Sequence, residues 1–139
     1  MFLSKLDPSG NFAWAHSGGA AASTFIKSMT TDPSGNIYTT GFFLGQIDFD
    51  PGSGIYNLSS DISDTGGDVF ITKSNSSGSL IWAKQLGGIS YDYATSIAVD
   101  AAGNVYTAGS FEGTADFDPG SGTFNLTASS SNADILFQN

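Results

Sequence analysis

The run Asp-Phe-Asp-Pro-Gly-Ser-Gly at residues 48–54 recurs unchanged at residues 116–122, an offset of 68. Carried outward, the same offset places Phe2 on Phe70, Lys5 on Lys73, Gly10 on Gly78, Trp14 on Trp82, Asp32 on Asp100 and Tyr38 on Tyr106. Residues 2–59 against 70–127, without a gap, give 25 identities in 58 positions. The chain is therefore a tandem array, with repeat 1 at about 1–67, repeat 2 at about 68–133 and the start of a third at 134–139. A unit of this kind buries its apolar faces against its neighbours, because it cannot bury them alone.

Each repeat carries two turns, at 7–11 and 32–36 in the first and at 75–79 and 100–104 in the second. Every one starts on Asp or Asn and places Gly three residues later, where a type I turn with a bulge needs a left-handed residue. The flanking runs, Val69 to Lys73, Leu80 to Gln85, Ile97 to Asp100 and Val105 to Phe111, have the period-2 character of strands. No stretch sustains a helical apolar stripe. The interval between turn glycines Gly35 and Gly78 is long and holds the Pro-Gly bend, so a ribbon is expected between the second and third strands. Four antiparallel strands repeated in tandem form the blade of a β-propeller. The fold class is all-β, a propeller segment of about two repeats that does not close a ring. Blade order makes Phe2 to Leu6 and Phe12 to His16 a half blade, about Ile26 to Leu86 one complete blade, and the remainder the first strands of the next. Eight or nine strands are expected, with Trp14 and Trp82 as buried wedges between blades.

Composition narrows function. In 139 residues there are 13 acidic and 4 basic side chains, for a net charge of -9, and Gly, Ser, Thr and Asn make up 59 positions. So few cations offer no basic stripe, so nucleic acid is not an expected partner. No apolar run is long enough for a membrane helix, so no membrane insertion is expected. Cysteine is absent, which removes disulfides and thiolate chemistry.

The strings DVFITKSNSSGSLIWAKQLGG (68–88) and SIAVDAAGNVYTAGSFEGTADFDPG (96–120) resemble the bacterial SBBP repeat, named for a seven-bladed beta-propeller. The resemblance covers the whole chain and is better in the second copy; the first departs at Ala20 to Lys27, where Asp92, read as an acidic loop residue, has no counterpart. IAVD-x-x-GNVY is also similar, over a shorter stretch, to the NHL type of propeller repeat. The SBBP resemblance implies a segment of a longer chain whose partners are the neighbouring blades of that chain, in an extracellular or cell-surface bacterial protein. The expected function is a non-catalytic scaffold or a protein- or glycan-binding module. The alternatives are part of a propeller-based hydrolase, or a short chain that builds a propeller from several copies.

One duplicated polar constellation is a candidate site. Asp48 and Asp50, and again Asp116 and Asp118, stand at i and i+2 before a glycine-rich bend whose carbonyls suit Ca²⁺. No bidentate Glu follows, and a solvated turn explains the same residues. Ca²⁺ is thus the one cofactor considered. No enzyme activity is expected: His16 is replaced by Lys84 in the second copy, no serine sits in a nucleophile elbow, and Glu112 is the sole glutamate.

Overall fold

A computed structural model describes residues 1–18, 23–60, 66–129 and the backbone of 134–137. Thirteen strands are described there and no helix. In chain order they are β1 (Phe2–Leu6), β2 (Phe12–Ser17), β3 (Thr24–Thr31), β4 (Ile37–Phe43), β5 (Gln46–Asp48), β6 (Asn57–Ser59) and β7 (Asp68–Ser74). They continue with β8 (Leu80–Gly88), β9 (Asp92–Val99), β10 (Val105–Phe111), β11 (Thr114–Asp116), β12 (Asn125–Thr127) and β13 (Asp134–Phe137).

The complete blade is β3-β4-β7-β8, antiparallel throughout. Before it lies the hairpin β1-β2, and after it β9-β10 with β13 on the outer edge of β10. The expected half blade, full blade and beginning of a third are all present, without a closed ring. The four turns are shaped as their sequences require, with Gly10, Gly35, Gly78 and Gly103 at φ of 83°, 79°, 83° and 89°. The strand total exceeds the expected eight or nine because each inserted ribbon is itself a pair of short strands, β5-β6 and β11-β12.

The second of these ribbons also fastens blades together. β11 pairs with the outer edge of β8 through Ala115 to Gly88 and Asp116 to Gly87, extending the complete blade to six strands. A Cβ on Gly88 would collide with the Thr114 carbonyl, so the absent side chain permits the pairing.

Alternation along β7 divides the core. Val69 and Ile71 join Tyr38, Leu86, Ile97, Phe111 and Phe117 on the side facing β9-β10. Phe70 joins Phe43, Ile47, Phe49 and Ala83 on the other side, where Met1 packs. Phe43 and Phe49 meet edge to face at 5.4 Å, and their copies Phe111 and Phe117 at 5.2 Å, so each repeat pins its ribbon with the same aromatic pair.

The tryptophans correct the sequence reading. Neither is buried; both are partly exposed. Trp82 borders the core edge-on to Tyr38, and Trp14 lies on the β7-β8 turn of the next blade. For Trp14 the indole N–H explains the difference from a true wedge, since it reaches a turn carbonyl at the rim rather than entering an apolar interior.

Candidate functional site

The duplicated aspartates act on their own loops. Asp48 Oδ1 accepts the N–H groups of Asp50 at 3.0 Å and Tyr56 at 2.8 Å, and Asp50 Oδ1 accepts that of Gly52 at 2.7 Å. Asp116 and Asp118 repeat the pattern with Asp118, Phe124 and Gly120. Those N–H groups hold the Asp116 carboxyl below the usual carboxylate range. Among the described residues no group of three or more His, Asp or Glu side chains gathers as a metal set. What these carboxylates visibly do is cap a bend. Asp7, Asp32 and Asp100 cap the other turns in the same way, each accepting from the side chain of the Asn four residues on, which lowers each carboxyl.

Sequence reasoning missed the acidic pair between the blades. Asp92, expected in a loop, is the first residue of β9 and is 2% exposed; Asp68, the first residue of β7, is 4% exposed. The two carboxylates converge over Gly87: a Cβ there would lie 2.9 Å from both Asp68 Oδ1 and Asp92 Oδ2. Gln85 Nε2 donates to Asp68, and the Gly88 N–H donates to Asp92 Oδ2 at 2.7 Å. Among the described residues Asp92 Oδ1 has no hydrogen-bond partner. Burial above all, with the Asp68 charge added, pushes the Asp92 carboxyl up to about 7. Position 24 in the first copy is Thr24, buried likewise, so the fold does not demand an acid there. The legible signal was the alternation of Asp92 and Ala94 with Tyr91 and Tyr93, which turns the acid inward.

Two further surfaces are defined. Phe25 stacks on Phe42 at 4.9 Å, Tyr93 of the next blade meets Phe42 at 6.4 Å, and Lys27 Nζ stands 5.5 Å over the Phe42 ring. Phe25 is exposed. At the other interface, Trp14 Nε1 donates to the Ser76 carbonyl at 3.3 Å, Lys5 Nζ donates to the same oxygen at 3.5 Å, and His16 Nε2 lies 3.1 Å from the Ser77 carbonyl. His16 is therefore half-buried on a neighbouring turn rather than an isolated surface site.

The SBBP family, described as a Beta-propeller repeat, matches residues 18–41 and 81–110. In each copy the match runs through the inner hairpin, β3-β4 or β9-β10. An uncharacterized WD repeat-containing protein of Acanthamoeba polyphaga mimivirus is 33% identical over 91 residues, which is 63% of this chain and 6% of that protein. The chain thus spans a small part of the length of that relative.

Proposed function

We infer that this chain, a carrier of SBBP β-propeller repeats, is a non-catalytic module of a secreted or cell-surface protein that stacks its blades on neighbours and presents a ligand-binding aromatic face. The observation that carries the reading is how the repeated residues are spent. The recurring aspartates and asparagines cap turns, the recurring phenylalanines pin ribbons, and the complete blade is covered on both faces. Among the described residues the nearest thing to a catalytic pair, Asp68 with Asp92, is almost wholly buried, which favours a structural role for it.

The ligand favoured is a glycan, because sugar rings lay their C–H faces on exposed aromatic rings and Lys27 adds a donor beside Phe25 and Phe42. Calorimetric titration with neutral oligosaccharides should give saturable heat that Phe25→Ala abolishes while leaving the unfolding midpoint unchanged. No heat with β-glucan, xylan or chitin fragments would remove the binding role and leave a scaffold. The Asp48, Asp50, Asp116 and Asp118 loops are tested by Ca²⁺ titration; a stabilised unfolding midpoint would add a metal to their capping role.

A further inference from the structure

We propose that Asp68 and Asp92 together hold one Ca²⁺ ion across the seam between the complete blade and β9-β10. The aspartates of the duplicated bends serve their own loops, whereas these two acids open strands of separate blades and both are buried. An ion shared by them ties one blade to the next.

The arrangement is built around one glycine. Gln85 Nε2 donates to the Ser59 carbonyl at 2.9 Å and also to Asp68, and the Gly88 N–H donates to Asp92 Oδ2 at 2.7 Å. Residues on either side of Gly87 thus orient both carboxylates. Each carboxylate has an oxygen 2.9 Å from the point where a Cβ of residue 87 would stand, so a side chain there would strike both. Two oxygens that near to one point can share a Ca²⁺ ion lying beyond it, whose ligands stand at about 2.3–2.6 Å, after small shifts of each acid.

Three observations call for a cation there. Asp92 is 2% exposed, and its Oδ1 has no hydrogen-bond partner among the described residues. The charges that bear on it, those of Asp68 and Glu112, are both negative, and a carboxylate taken out of water among like charges is costly unless it is neutralised. A cavity of about 20 Å³, bordered by Asp92, Gly87, Val69, Leu86, Ala94 and Phe111, has room for one water beside the carboxylate. Gly87 also borders a cleft of about 340 Å³ with Tyr56, Lys84, Gln85, Asp116 and Asp118, which gives an ion an acidic way in from the surface. The ligands offered are oxygens, which suit Ca²⁺ over softer metals. Two charged ligands place the affinity near that of extracellular modules, about 10⁻⁴–10⁻³ M.

Thermal unfolding of the full chain at about pH 8, in about 10 mM CaCl₂ and in a chelator at matched ionic strength, tests this at a concentration at least tenfold above that affinity. Ca²⁺ should raise the midpoint by about 5 °C. It should also slow hydrogen exchange in Asp68–Ser74 and Asp92–Val99, the strands that the two acids begin. Asp92→Thr copies the residue that the first repeat carries at this place, and Asp68→Asn keeps the shape of the second acid. Both variants should stay folded by near-UV circular dichroism and lose the midpoint shift. An unshifted midpoint in the unaltered chain overturns the proposal and leaves a shared proton to neutralise the pair. A shift that survives both substitutions, or slowed exchange confined to residues 48–57 and 116–125, puts the ion in the bends and overturns it equally. Should either variant fail to fold, the exchange pattern of the unaltered chain decides.

Discussion

β1 and β7 hold the same place in successive blades and read nearly alike, Phe2-Leu3-Ser4-Lys5-Leu6 against Phe70-Ile71-Thr72-Lys73-Ser74. Both are strands in hairpins closed by the same kind of turn. Yet β7 is buried along almost its whole length, between β4 and β8 within its sheet and under a core on each face, whereas only Leu3 of β1 is even partly covered. Strand formation is thus local here, driven by turn chemistry and alternation, while burial is decided by whether a neighbouring blade is present.

The largest effect should come from removing the equivalent ring in each strand. Phe70→Ala empties a fully enclosed site and should cost about 3–5 kcal/mol in urea unfolding, while Phe2→Ala should stay within about 0.5 kcal/mol in the monomer. Equal losses would mean that β1 is covered in solution.

The acidic pair sharpens the comparison of the two copies at positions 24 and 92. Asp92 titrates at about 7 in the folded chain against 3.8 when unfolded. The folded state therefore binds the extra proton between those values, and stability falls as pH rises from about 4 to 7 and stays reduced above. The turn aspartates Asp7, Asp32, Asp100 and Asp116 are shifted the other way, so their contribution is present above 3.8 and is lost as pH falls below it. Maximal stability should therefore lie near pH 4. Asp92→Asn should flatten the loss on the alkaline side and stabilise the chain at pH 8 by roughly 2 kcal/mol. Thermal melts from pH 3 to 9 check this, and a wild-type profile rising toward pH 8 would contradict it.

The smallest effect separates two turns of one geometry. Gly103 has open space around a Cβ, so Gly103→Ala should cost about 1 kcal/mol from its left-handed backbone alone. At Gly78 the new methyl would also strike the His16 ring, so Gly78→Ala should cost about 2 kcal/mol and loosen the β1-β2 hairpin. Hydrogen exchange in Phe12–Ser17 should rise for Gly78→Ala only; an equal rise for both would detach His16 from that turn.

The candidate site was less legible than the fold. The Asp48 and Asp50 loop drew attention because it was repeated, but repetition marked a cap that every copy needs. Asp92 reads as a loop acid because Thr24 stands in its place, and its partner Asp68 is 24 residues away, so the pair exists only where two blades meet. Likewise Trp14 and Trp82 were recognisable as equivalent, but not as residues that meet a turn 62 positions on in one case and an open groove in the other.

The sequence by itself determined the strands, turns and blade boundaries, because alternation, Asp or Asn at turn starts and Gly at left-handed positions are satisfied within a few residues. It also determined the inserted ribbon, from the length of one interval. Only the tertiary structure decided that β11 clasps β8 across a glycine, that Asp92 is driven inward against Asp68, and that like strands are buried or bare. Those outcomes depend on which surfaces of different blades come together, and contact between segments tens of residues apart is not encoded by any local pattern.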